Sequence, residues 1–297
     1  MNGISYICAV FATVLGLALP TPVSANGAGS VTIIYDAFGA PSALQRDWGF
    51  AALVEYDGKR ILFDTGNNAK LFEANVKELG IDLTKLDAAV ISHRHGDHTS
   101  GLSYVLSVNA AVKIYVPKEA GFFGGHLPKG FLTADHSLPL DLRYFEGRPP
   151  EDVRTGTPWE GGHFETITET TEVLPGFYVL TVRSQKLGTI EMNELALAVR
   201  TSKGLAVVVG CSHPGVEKIL EKATEIDRQL YMALGGFHLV LVPKDEVERT
   251  VVTLHDVLKV ERIAPAHCTS EQGLSAFLER FKERFDRAGV GAVISLP

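Results

Sequence analysis

The residues His93, Arg94, His95, Gly96, Asp97 and His98 place three imidazoles and a carboxylate within a single turn's length of chain. These are the side chains that hold divalent cations, and an ordinary polar loop has no use for four of them in this order. His93 and His95 are two apart, so in extended backbone they project the same way and can share one ion. Asp97 and His98 fall where the chain turns into the next helix and can address a second. Gly96 lets the backbone bend between the two pairs, and Arg94 is expected to point away from the cations. Two divalent ions are therefore expected, zinc first, with manganese and iron also compatible with imidazole and carboxylate. Such ions lower the pKa of bound water from about 15.7 to about 7, which points to hydrolysis without a nucleophilic side chain.

Other residues could join this chemistry. Cys211 and Cys268 each lie beside a histidine, and three readings stay open for them: small buried residues, a disulfide, or thiolate ligands. His238 follows Gly235, Gly236 and Phe237 at the end of an apolar run, a place from which it can contact substrate. His126, His136 and His163 read as solvated side chains, and His255, within a helical pattern, as structural.

The elements that must position these residues follow from hydrophobic periodicity. Short apolar runs at 31–35, 51–56 and 60–63 predict strands, with Asp57-Gly58 as a hairpin turn between the last two. A helix is predicted over 69–79, closed by Gly80, and the run 86–92 is short enough for a buried strand that ends at the histidines. Strands are predicted again at 178–182, 195–199, 205–210, 231–234 and 262–264. Helical spacing joins Val216, Ile219, Leu220, Ala223 and Ile226, then Val247, Val251, Leu254 and Leu258. A last amphipathic helix is expected to carry Leu274, Phe277, Leu278, Phe281 and Phe285 on one face. The mixture predicts an α/β fold of two sheets between helical layers. From about 117 to 175 the pattern weakens among many Gly and Pro residues, which predicts an insertion over the site acting as a substrate-facing lid.

Composition narrows the partners. With 45% hydrophobic and 21% charged residues in 297, the chain can bury a full core as one domain or two small ones. A formal charge of −7 and no dense Lys/Arg cluster argue against nucleic acid and leave a small-molecule substrate. Residues 4–19 are almost continuously apolar, Pro20 and Pro22 follow, and Val23-Ser24-Ala25 offers a cleavage site. Residues 1–25 therefore read as a signal peptide. An uncleaved anchor stays open, because the segment before the apolar run has no Lys or Arg. Cleavage would leave a periplasmic or secreted domain at 26–297 without stable membrane association, its oligomeric state open. Cys8 would leave with the signal.

The histidine run resembles the His-x-His-x-Asp-His signature of the metallo-β-lactamase superfamily, and the resemblance takes in Phe63-Asp64-Thr65-Gly66 and the strand order over most of 26–297. Four later segments narrow it: Glu194-Leu195-Ala196-Leu197, Gly210-Cys211-Ser212-His213-Pro214-Gly215, Gly235-Gly236-Phe237-His238-Leu239 and Pro265-Ala266-His267-Cys268-Thr269. Together they are similar to the branch of dihydropterin-ribofuranosylaminobenzene-phosphate synthase-like metal-dependent hydrolases. The resemblance implies a four-layer αββα sandwich with the metals at one edge, His213 and His267 completing the ligand set, and Asp64 orienting a ligand histidine. Asp97 would hold a metal and accept or relay a proton. The chain departs from the wider superfamily where it has Cys211 in place of a bridging aspartate and Asn193-Glu194 in place of a third histidine, so Cys211 and Glu194 stay open as ligands.

The function so implied is an exported hydrolase that uses metal-bound hydroxide on an ester, lactone or phosphoester. The alternatives are a transferase resembling the synthase and an exported metal- or ligand-binding protein without turnover. The branch motifs do not support β-lactam cleavage.

Overall fold

The computed structural model describes residues 29–119, 121–127, 130–133, 135–151, 153–155, 159–186 and 192–297; the expected signal peptide at 1–25 lies outside them. Strands β1 (Gly29–Tyr35), β2 (Ala51–Tyr56) and β3 (Lys59–Phe63) form an antiparallel meander. Asp57 and Gly58 turn β2 into β3 with φ of 49° and 72°, the left-handed pair a two-residue hairpin requires. Helix α1 (Ala69–Glu78) starts at Asn68, whose side chain accepts from the amides of Lys70 and Leu71. It ends where Gly80 adopts a φ of 65°. Strand β4 (Ala88–Val90) runs parallel to β3, and helices α2 (Gly96–Thr99) and α3 (Leu102–Val108) lead to β5 (Lys113–Pro117).

A two-residue pairing, β6 (Gly125–His126) with β7 (Arg154–Thr155), precedes β8 (His163–Ile167), β9 (Thr171–Leu174), β10 (Phe177–Arg183), β11 (Asn193–Thr201) and β12 (Gly204–Val209). Helix α4 (Val216–Ala223), β13 (Leu230–Gly236), α5 (Lys244–Val252), β14 (Arg262–Ala266), α6 (Glu271–Phe281) and β15 (Val293–Leu296) complete the order. One sheet runs β15-β1-β2-β3-β4-β5-β8 and the other β14-β13-β12-β11-β10-β9.

Side-chain alternation builds the layers. Along the buried strand β12, Ala206 and Val208 enter the core between the sheets, while Leu205, Val207 and Val209 pack beneath α4, α5 and α6. In β2, Ala52 and Val54 face inward and Ala51 and Leu53 meet Phe72 of α1 and Val105 of α3. The result is the expected αββα sandwich. Among the described residues no helix is long and apolar enough to cross a membrane.

Several expectations change in detail. Within the run 86–92 the strand proper spans only Ala88–Val90, and beyond it the Ser92 carbonyl accepts from the Leu195 amide of the other sheet. Leu278 is 48% exposed, not part of the buried face, since it lies about 100° around the helix from Phe277. Helix α6 ends at Phe281, and Phe285 reaches the same layer from outside it, bridged to Ile263. The stretch expected as an excursion from 117 to 175 contains β8 and β9, which join the two main sheets.

Candidate metal centre

The turn after β4 is held by one buried carboxylate. Asp64, at the end of β3 with a φ of 58°, accepts from the Ser92 amide at Oδ1 and from the Ser92 hydroxyl at Oδ2, both at 2.7 Å. The same Oδ2 faces His98 Nδ1 at 2.7 Å. That contact places the proton on Nδ1 and leaves His98 Nε2 to face the site, 3.2 Å from Cys211 Sγ. The Ser92 hydroxyl, having donated to Asp64, accepts from His93 Nδ1 at 2.8 Å. His93 Nε2 is then left buried without a hydrogen-bond partner among the described residues. A buried orphan nitrogen is costly unless something positive occupies the space beside it.

The second sheet supplies the opposite wall. Glu194, buried in β11, accepts from the amides of Cys211 and Ser212 at Oε1 and from the His213 amide and Nδ1 at Oε2, at 2.6–2.9 Å. Both its oxygens are engaged by this loop, so Glu194 is not among the residues whose ligand atoms converge; it turns His213 toward them. The His267 amide donates to Asp36 at 3.2 and 3.3 Å, while both His267 ring nitrogens are buried without a hydrogen-bond partner among the described residues. Close approach of strand ends makes this possible. A Cβ at Gly210 would lie 2.2 Å from Ser92 Oγ, and one at Gly236 would lie 2.4 Å from the Gly210 carbonyl.

Ligand atoms converge in overlapping groups, each within 4.8 Å: Asp97, His98, Cys211 and His267; His93, Cys211 and His213; and His93, His95 and Asp97. The pairing expected from spacing is thereby refined. Asp97 and His98 meet His267 from the far sheet, His93 meets His213, and Asp97 also reaches the His93/His95 side. Cys211 belongs to the first two groups, the position a bridging ligand takes. Arg94 points away and pairs with buried Glu119 at 3.2 Å.

Electrostatics suit cation binding. Burial, then the neighbouring His213, lowers His95 to a pKa of about 4, and burial with His98 and His213 holds His93 well below its usual range. Both rings are thus neutral at pH 7, the form in which an imidazole can hold a cation. Burial also disfavours charge on Asp97, but the nearby His267 ring, 3.4 Å away, and the charge of His98 outweigh it and hold the carboxyl well below its usual range. His98 behaves oppositely: burial opposes its charge, yet Asp64 lifts it to about 9.

A pH dependence follows for metal-free protein. Because His98 is raised from the usual 6.5, its contribution is fully present below about pH 6.5 and is lost as pH rises through about 9. The stability difference between metal-stripped wild type and Asp64→Asn should therefore shrink by roughly 3 kcal/mol between these limits. Denaturant melts of both proteins across this range measure it, and a difference constant with pH would refute the His98–Asp64 coupling.

His238, at a φ of 48°, packs its ring 4.4 Å from that of His213, at the rim of this centre. His136 and His163 are exposed, and the His126 side chain lies outside the described ones. His255 sits in the turn after α5 against Asp256. Three residues were missed by sequence reasoning: Asp36, Ser92 and Trp48. Asp36 follows an apolar strand just as Asp64 does, a usable signal. Trp48 gave none, although the residue is 46% exposed and its ring lies 4.8 Å from that of His267. Its loop is anchored by the Phe50 amide, which donates to the Asp97 carbonyl.

The chain is similar to several known proteins. A family model described as the metallo-β-lactamase superfamily matches residues 48–183. The 7,8-dihydropterin-6-methyl-4-(β-D-ribofuranosyl)-aminobenzene-5′-phosphate synthase of Methanocaldococcus jannaschii is 32% identical over 88% of this chain and 93% of its own. The uncharacterized protein MJ0448 of the same organism is 26% identical over 84% of this chain and 93% of its own. The crystal structure of Tm1679, described as a metal-dependent hydrolase of the β-lactamase superfamily, superposes with a TM-score of 0.69 at 25% identity, covering 90% of this chain and 98% of that one.

Proposed function

The chain belongs to the metallo-β-lactamase superfamily, in the branch similar to the dihydropterin-ribofuranosylaminobenzene-phosphate synthase, and from that we propose an exported metal-dependent hydrolase of small esters, lactones or phosphoesters. The observation that carries this reading is the convergence of buried imidazoles from both sheets on Asp97 and Cys211, with His93 Nε2 and the His267 ring nitrogens lacking a hydrogen-bond partner among the described residues. His93, His95 and His213 would hold one ion and Asp97, His98 and His267 the other, with Cys211 between them. When bound, the ions supply Lewis acidity and an ionised water near neutral pH.

The chain's own residues do the rest. Asp97, ionised and with its side chain 18% exposed, is placed to accept or relay a proton at the reacting centre. Asp64 and Glu194 keep His98 and His213 in one tautomer and orientation. Trp48 and His238 line the rim, where an apolar face and an imidazole meet a small substrate. Export rests on the signal-like segment at 1–25.

The named relative favours a second reading, transfer between a pterin and a ribosyl aminobenzene phosphate, with the same residues orienting the pterin. Export weighs against it, since pterin diphosphates are cytosolic metabolites. One experiment addresses both. Metal-loaded protein should hydrolyse a member of an ester, lactone and phosphodiester panel, chelator-stripped protein should lose that turnover, and zinc or manganese should restore it. Full turnover after stripping would sink the hydrolase reading, and condensation of the two synthase substrates would establish the transferase instead.

A further inference from the structure

Three neighbouring strands of the second sheet, β12, β13 and β14, run parallel and end at one level: Val209 pairs with Gly235, and Gly236 with Ala266. Two residues beyond each last strand residue stands a side chain able to bind a soft cation: Cys211 after Val209, His238 after Gly236, Cys268 after Ala266. We propose that Cys211, His238 and Cys268 form a third cation position that takes a single soft ion, such as zinc, cadmium or copper(I), beside the two-ion centre.

The geometry assembles the three donors without rearrangement. One ligand atom from each lies within 4.8 Å of the others, and Cys268 and His238 belong to none of the three groups described above. The Cys268 Sγ accepts from the His238 amide at 3.3 Å and otherwise faces the Cys211 carbonyl at 3.5 Å. His238 Nδ1 is buried with no hydrogen-bond partner among the described residues, so a polar atom already turned inward lacks a counterpart. Backbone strain supports the arrangement. Ser212, His238 and His267 all take left-handed φ values, 64°, 48° and 46°, a cost usually met where a side chain must be presented in one direction.

Donor chemistry selects the ion. Two sulfurs and one imidazole form a soft set, unlike the nitrogen and oxygen atoms that dominate the neighbouring groups. On binding, each thiol releases its proton to solvent, and Cys211, whose sulfur lies between the other groups, is shared. The space beside Cys268 is kept open by Gly236, where a Cβ would approach the sulfur to 2.8 Å.

The test is a cadmium(II) titration of reduced, chelator-stripped full-length protein, read by bound metal per chain and by the sulfur-to-cadmium charge-transfer band. Wild type should bind three ions. Cys268→Ser should bind two and keep roughly half of the band, since one of two thiolates remains. His238→Ala, which leaves both sulfurs and serves if the cysteine variant does not fold, should lower affinity for the third ion by at least about 10-fold. Wild type saturating at two ions, or Cys268→Ser binding as many as wild type, overturns the proposal. So does a Cys211–Cys268 disulfide that survives reduction. Because metal count is read without turnover, a missing third ion in protein that still hydrolyses the panel refutes this site alone.

Discussion

Asp97→Ala is expected to lower turnover by about 10²–10⁴-fold while the chain still folds. The carboxylate sits in the first turn of α2, 3.4 Å from His267 Nε2 and 3.7 Å from His98 Nε2, and takes part in two of the converging ligand groups. Its removal takes away both an ion's ligand and the nearest group able to move a proton. It should scarcely affect packing, because the Asp97 contact that anchors the Trp48 loop is made by its backbone carbonyl. Elemental analysis should find fewer ions per chain, and circular dichroism should match wild type. Asp97→Asn separates the two roles: it keeps an oxygen ligand but not the base. Undiminished turnover in Asp97→Ala would remove this residue from the mechanism.

The second large effect is on stability. Glu194→Ala is expected to cost about 3–5 kcal/mol, the usual loss when one partner of a buried charged network is deleted. Three amides and His213 Nδ1 would lose their acceptor in a region closed to water. At roughly 2–4 °C per kcal/mol for a domain of this size, the Tm should fall by about 10 °C. Metal affinity should fall by about 10- to 100-fold because His213 is no longer held in one orientation. Glu194→Gln should lie between, since its carboxamide keeps one acceptor oxygen but turns an NH₂ toward donors. Calorimetry with and without metal distinguishes these losses, and a Tm unchanged by Glu194→Ala would show that this loop does not depend on the carboxylate.

These expectations differ in how far they were legible in the sequence. Asp97 was singled out directly, because His93, His95, Asp97 and His98 fall within six consecutive positions and their spacing alone suggests two ion positions. Glu194 was visible only as a carboxylate standing where a histidine was expected. That it receives a loop from the next strand, rather than reaching an ion, depends on the pairing of β11 with β12. The last helix shows the same limit: periodicity found Phe277 and Phe281 but placed Leu278 with them, since a one-letter pattern does not fix where a helix is rotated against its sheet.

The sequence by itself indicated the candidate ligands of the first half of the site, the order of most strands and helices, and membership of the fold, because ligand spacing and apolar periodicity are local properties. Which histidine from the far sheet faces which end of the cluster was decided by tertiary structure alone. So were the place of Cys211 between the groups, the hold of Asp36 on His267, and the common level at which three parallel strands present Cys211, His238 and Cys268. These depend on contacts between residues up to 231 positions apart, whose register is set by packing two sheets around one core.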